Sequence, residues 1–202
     1  MTTLTVQETE KEVQKKGEVT VEFEQTVEFD EPEEKTEAKP EKKKRAKKEP
    51  KIKILFVCSG NTCRSAMAES IFKNEIKKKK LTAKYDVASC GLTANEGDGI
   101  SPSSRAALAY LDIPWHKHKA KKFKDEMPQK VDLVVCMTRE HKARFTATNS
   151  FTVGEITGRG DVPDPYGYPV EAYIKVAKYL CECVEPILDA AGYLREKKNE
   201  KK

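Results

Sequence analysis

Residues 52–72 read IKILFVCSGNTCRSAMAESIF. Ile52, Ile54, Leu55, Phe56 and Val57 form a short apolar run of the kind that becomes a strand buried on both faces. Over residues 65–79, Ala68, Ile71, Phe72 and Ile76 fall at i, i+3, i+4 and i+8, the spacing of one apolar helix face. A strand, a short loop and then a helix is how an α/β unit opens.

The alternation continues toward the C-terminus. A second strand is expected near Tyr85 to Ser89, and a helix from about Pro102 to Leu111, capped by Ser101 with Pro102 in its first turn. Val131 to Cys136 reads as a third strand followed by a helix from Arg139 to about Ala147, and Phe151 to Ile156 as a weaker fourth strand. A last helix spans about Val170 to Ala190 with Ala172, Val176, Leu180, Cys183 and Ile187 on one face. Pro186 predicts a kink or a break near Glu185, and Arg195 to Lys202 reads as a charged end. Four strands alternating with helices predict a single α/β domain, a four-stranded parallel sheet with helices on both faces. The domain is expected over 52–202, with an ordered core of about 52–192.

Upstream the composition changes. Residues 1–51 carry 12 Lys+Arg against 14 Asp+Glu, contain no Trp or Tyr and no Leu beyond Leu4, and offer too little apolar area to offset the entropy of ordering. They are expected to be a disordered tail, with residues 1–36 net −7 and residues 37–51 net +5. Val19, Val21, Phe23, Val27 and Phe29 share a strand-like period, and the run from Lys42 to Lys48 is basic, but both read as solvated chain. Nucleic acid is therefore not an expected partner, and the tail's partner is unknown. No apolar run approaches the roughly 20 residues that cross a bilayer, and no signal peptide is visible, so a soluble cytoplasmic protein is expected. Six scattered cysteines, Cys58, Cys63, Cys90, Cys136, Cys181 and Cys183, fit neither a disulfide framework nor a four-ligand zinc pattern.

The loop between the first strand and helix carries the chemistry: Cys58, Ser59, Gly60, Asn61, Thr62, Cys63, Arg64, Ser65. Its backbone N–H groups can form an anion nest, and the helix N-terminus adds about half a positive charge. Gly60 is expected to let the backbone turn, and Arg64 supplies a planar fork for two oxygens of a tetrahedral oxyanion such as phosphate. The same field favours a nucleophilic thiolate at Cys58. Asn61 is expected to hold the loop's shape, and Ser65 to hydrogen-bond the sulfur. Read alone, Cys58 would be a buried small hydrophobe; its place between strand and helix favours the chemical reading.

These residues resemble the low-molecular-weight protein tyrosine phosphatases, whose loop reads Cys, x, Gly, Asn, x, Cys, Arg, Ser near the start of the domain. The likeness runs along 52–192 and excludes the tail. It implies a flavodoxin-like winding, a cysteinyl-phosphate intermediate on Cys58 and a phosphoryl clamp at Arg64. A carboxyl group must protonate the leaving group and then activate water, and candidates stand between Gly160 and Gly167. The family's acid is the aspartate of a late Asp-Pro pair followed by an aromatic, which implies Asp164 with Pro165 and Tyr166; Asp161 is the competitor. Ser89 stands where the family has a serine supporting the loop asparagine. His118 resembles a histidine that follows the family's second helix but is read as a surface or structural residue, and Cys63 as a partner for a reversible disulfide with Cys58. Ala66 departs from the proline common after the loop serine.

Substrate choice within the family turns on Thr62, which stands where tyrosine-specific members usually carry isoleucine and arginine phosphatases carry threonine. A hydroxyl there meets a guanidino group, whereas an alkyl chain packs against a phenol. Met137 to Lys142 and Gly167 also look closer to the arginine branch, and Tyr166 offers an aromatic wall to either substrate. The expected partners are phosphorylated proteins, with phosphoarginine favoured over phosphotyrosine. No cofactor or metal is expected. Arsenate reduction on the same fold is an alternative that needs a further cysteine pair. A non-catalytic phosphoprotein-binding module is another, against which the presence of both Cys58 and Asp164 argues.

Overall fold

The computed structural model describes residues 50–115 and 117–200. The expected tail, with its Val19 to Phe29 alternation and its Lys42 to Lys48 run, lies outside the described residues save for Pro50 and Lys51. The first strand, β1, spans Ile52–Cys58 and is followed by α1, Arg64–Lys78. Then come β2 at Tyr85–Gly91, α2 at Pro102–Tyr110, β3 at Leu133–Cys136 and α3 at Arg139–Lys142. The chain ends with β4 at Ser150–Thr152, α4 at Val153–Thr157, α5 at Val170–Glu182 and α6 at Val184–Glu200. All strand pairs are parallel, in the order β2-β1-β3-β4.

The central position of β1 explains its unbroken apolar run. Ile52, Ile54, Phe56 and Cys58 face one core, while Leu55 and Val57 face the other. The larger core lies under α1, α2, α5 and α6, where α1 packs on β1 and β2 while α5 packs on α1 and α2. Phe56 and Phe72 meet there with ring centroids 4.6 Å apart, and burying each contributes roughly 1.5–3 kcal/mol. The second face has thinner cover. Leu55, Val57, Cys90, Val134 and Cys136 lie beneath Phe123, Met127, Val131 and Phe145, with the two phenylalanine rings 4.5 Å apart. Much of that cover is irregular chain containing a 3₁₀ turn at Pro128–Lys130. Among the described residues no helix is long and apolar enough to cross a membrane.

Three expectations require correction. The strand read over Phe151 to Ile156 ends at Thr152, where a capping box starts α4 instead: the Thr152 hydroxyl accepts from the Glu155 N–H, and the Glu155 carboxylate from the Thr152 N–H. A Thr-x-x-Glu signature outweighed the apolar pattern. The helix read from Arg139 to Ala147 stops after one turn, and bonds from the Arg144 N–H to the His141 carbonyl and from Phe145 to Lys142 lead Phe145 into the second core. The break expected near Glu185 falls at Cys183, so that Pro186 sits in the first turn of α6, where a missing N–H costs little.

The charged end also folds, past the expected limit of 192. Arg195 on α6 donates from Nη1 to both Asp132 carboxylate oxygens at 2.9 and 3.0 Å and from Nη2 to the Pro50 carbonyl at 3.0 Å. Asp132 also accepts from the Lys53 N–H at 2.9 Å, so one buried carboxylate joins the start of β1, the entry to β3 and the last helix. Burial opposes the charged form, but the Lys53 N–H and Arg195 outweigh it and hold the Asp132 carboxyl below its ordinary value. Arg195→Ala is expected to cost roughly 1–3 kcal/mol by urea unfolding, because it leaves a buried charge underpaired. Because the folded carboxyl is depressed, this contribution is complete above its unfolded value near ~4 and fades as pH falls through the folded value. The parent and variant stabilities should therefore converge in acid.

Candidate active site

Parallel sheets bind ligands beyond the carboxyl ends of their strands, at the point where strand order reverses. Here that point lies between β1 and β3, and the loop 59–63 occupies it. No side chain caps the N-terminus of α1, so its N–H groups remain for a guest.

Cys58 is buried at the end of β1. Its sulfur lies 2.9 Å from the Ser65 hydroxyl and 3.3 Å from the Asn61 N–H. The loop turns at Asn61, which holds a left-handed φ of 56°, and not at Gly60. Asn61 is fully buried, and its side chain is fully engaged. The amide donates to Ser65 at 2.9 Å and Ser89 at 2.8 Å, and the side-chain carbonyl accepts from the Lys121 N–H at 2.9 Å. Ser89 in turn donates a hydrogen bond to the Glu69 carboxylate. His118 meets the Asn61 backbone carbonyl at 2.6 Å through Nε2.

Below the loop lies Gly91. A Cβ there would stand 2.4 Å from the Ser59 carbonyl oxygen and 2.7 Å from the Asn61 nitrogen, so glycine is required by close approach of two backbones. The Leu92 and Thr93 N–H groups then bond to the Cys58 and Ser59 carbonyls at 2.9 Å. Sequence reading placed Ser89 here but missed Gly91, although the glycine follows it closely in Ser-Cys-Gly.

Arg64 starts α1 and is 5% exposed. Its Nη2 donates to the Asp164 carboxylate at 2.6 Å and its Nη1 to the Val162 carbonyl at 3.4 Å. Asp164 is half exposed and also accepts from the Tyr166 N–H at 3.2 Å. Asp161 turns elsewhere, to Arg139 at 3.4 Å. Of the two aspartates, then, only Asp164 reaches the cation of the loop.

The remaining loop residues occupy the rim. Thr62 is half-buried, and its carbonyl accepts from the Ser101 N–H at 2.9 Å. Tyr166 is 78% exposed. Cys63 is free, as is Cys58, and its sulfur lies 3.5 Å from the Ser101 hydroxyl and 4.0 Å from that of Tyr173. Burial pushes the Tyr173 phenol up to about 12. His141 touches Ser59 across the loop at 2.9 Å, a contact that sequence reading missed although the Met137 to Lys142 stretch was singled out. Among the described residues no three His, Cys, Asp or Glu side chains converge as metal ligands. A thiol, a guanidinium, an uncapped helix N-terminus and a half-exposed carboxylate thus come together at the carboxyl end of β1.

The family described as low molecular weight phosphotyrosine protein phosphatase matches residues 53–199. A protein-arginine-phosphatase of Bacillus subtilis is 35% identical over 66% of this chain and 93% of its own length. A low molecular weight protein-tyrosine-phosphatase of Staphylococcus epidermidis is 34% identical over 67% and 96%. Among solved structures, a cysteine-to-serine variant of YwlE arginine phosphatase with a phosphorylated active-site serine superposes with a TM-score of 0.63. It is 31% identical and covers 73% of this chain and 99% of its own.

Gly91→Ala tests the close approach under the loop. The methyl group meets backbone rather than a movable side chain, so a loss of about 1–3 kcal/mol is expected by urea unfolding. A substitution within a few tenths of a kcal/mol of the parent would show that the loop moves aside without cost.

Proposed function

The chain belongs to the low molecular weight phosphotyrosine protein phosphatase family, and we propose that it hydrolyses phosphoarginine in proteins with Cys58 as nucleophile, Arg64 as clamp and Asp164 as acid and base. The observation that carries this reading is the 2.6 Å pair between Arg64 and Asp164. It holds one carboxylate over the loop that contains Cys58.

The geometry supports the following sequence. A phosphoryl group entering the loop takes the Arg64 fork and the N–H groups at the start of α1, displacing Asp164 toward the leaving group. The Cys58 sulfur attacks phosphorus while the bond to the leaving nitrogen breaks, and the protonated Asp164 carboxyl gives its proton to that nitrogen. Water then attacks the cysteinyl-phosphate as the Asp164 carboxylate takes the water's proton, releasing phosphate and restoring Cys58. Ser65, 2.9 Å from the sulfur, is placed to hydrogen-bond the departing thiolate, and the loop dipoles are oriented before charge develops. The variant of YwlE with a phosphorylated active-site serine supports a phosphorylated nucleophile in this fold.

For substrate choice, the support is Thr62. Its half-buried side chain on the loop rim offers a hydroxyl to a guanidino group where a larger alkyl chain would offer none. Similarity alone does not separate the branches, since the arginine-named and tyrosine-named relatives are 35% and 34% identical. Tyr166 provides a flat wall to either substrate. The arsenate-reductase reading gains nothing from the other thiols. Cys90 and Cys136 flank Val57 within the sheet, and burial pushes both up to about 12. A purely binding module has no use for the placement of Asp164.

Phosphate release by the full-length protein from matched phosphoarginine and phosphotyrosine peptides tests the reading. Preference for phosphoarginine is expected, and Thr62→Ile should reduce it by roughly tenfold or more. A preference for phosphotyrosine would make Thr62 incidental. Cys58→Ser should abolish turnover, and Asp164→Asn should slow it by roughly 10² to 10⁴. If Asp161→Asn has that effect instead, the acid is misassigned.

A further inference from the structure

The His141 ring is buried beside the phosphate loop and bonded at both nitrogens. Nδ1 lies 2.7 Å from the Thr138 hydroxyl and Nε2 lies 2.9 Å from the Ser59 hydroxyl. Thr138 is the N-cap of α3 and also accepts from the His141 N–H, so the start of that one-turn helix sets the ring's orientation. The same Ser59 hydroxyl lies 3.5 Å from Nη2 of Arg64, the nitrogen that also holds Asp164. We propose that His141 is a positioning residue for Arg64, acting through the Ser59 hydroxyl. The inference deepens the phosphatase reading and rests on it.

A serine hydroxyl has one proton and two lone pairs, and arginine only donates. For Ser59 to accept from Arg64 with its proton satisfied, that proton points to an acceptor, which a neutral imidazole supplies at Nε2 while Nδ1–H donates to Thr138. Each bond in the row Thr138, His141, Ser59, Arg64 then has one donor and one acceptor. A protonated ring donates from both nitrogens. It would push a second N–H at the Ser59 oxygen, free the Ser59 proton and place a cation beside Arg64.

The surroundings favour the neutral ring. Burial, followed by the Arg64 charge, holds His141 below its ordinary value, while Asp164, Glu140 and Asp161 oppose this. His141 also lines a surface cavity of about 210 Å³ with Ser59, Leu92, Thr93, Glu140 and Arg144, so solvent protons reach it. Because the folded value is depressed, the ring stays neutral at pH 7 and charges only as the medium becomes acid. The acid limb of catalysis should therefore include a His141 component.

The test uses the full-length protein with Ser59→Ala, His141→Phe, the double variant and His141→Gln. Two quantities are read: kcat/KM against pH on the peptide the parent hydrolyses best, and inhibition or direct binding by inorganic phosphate. Ser59→Ala and His141→Phe should each lower kcat/KM and weaken phosphate binding by roughly tenfold, and the double variant should be no worse than either alone. His141→Gln offers an amide oxygen to Ser59 and cannot charge; it should stay within roughly threefold of the parent at pH 7 and remain active further into acid. Additive losses, or an acid limb unchanged in His141→Gln, would overturn the role of His141. A parent inactive on both phosphopeptides would overturn the phosphatase reading instead, and phosphate binding by the same variants would still decide whether His141 acts through Ser59.

Discussion

The site depends on a single buried amide. Asn61 adopts a left-handed conformation that few side chains tolerate, and its amide and carbonyl are held by Ser65, Ser89 and the Lys121 backbone. Asparagine suits the place because its short polar side chain tolerates that backbone region and brings donors and an acceptor at once. If these bonds were broken, several buried polar groups would be left unpaired. The loop is therefore held in one shape before any anion arrives, and the Cys58 sulfur, the start of α1 and the Arg64 fork are fixed relative to each other.

Around that amide the molecule is built in layers. Gly91 brings the end of β2 against the loop, Ser89 and Glu69 brace it from the side, and His118 holds its backbone carbonyl. These contacts come from β2, α1 and the segment after α2, elements that β1 and the main core already hold in register. The downstream segment that carries Asp164 meets this floor at Arg64. Asp164 is half exposed, while the guanidinium it pairs with is buried, so parting them would leave a buried charge unless another anion took the carboxylate's place. In the proposed reaction a phosphoryl oxygen takes that place, which frees Asp164 for the leaving group and then the water.

The part of the fold legible in the sequence was the part governed by local rules. The apolar run of β1, the period of α1 and the Ser101 cap with Pro102 behind it all follow from backbone and side-chain preferences within a few residues, whereas the interruption expected beside Pro186 falls earlier, at Cys183. The same rules misjudged residues 151–156, where an apolar pattern suggested a strand and the Thr152–Glu155 capping box made a helix. They also overextended the helix after Arg139, because Phe145 gains more by closing the second core against Phe123 than by another helical turn.

For the site, the sequence by itself determined the chemical inventory: a cysteine, an asparagine, an arginine and a serine within eight residues between a strand and a helix, and an Asp-Pro pair far downstream. Such groups are recognisable in order along the chain because each must have a particular functional group. Tertiary structure alone decided that Asp164 and not Asp161 meets Arg64, that the turn falls on Asn61 and not Gly60, that Gly91 must lack a side chain, and that His141 touches Ser59. The physical reason is the same in each case. These are contacts between segments tens of residues apart, set by strand register and by the packing of both cores, and no local preference of either partner encodes them.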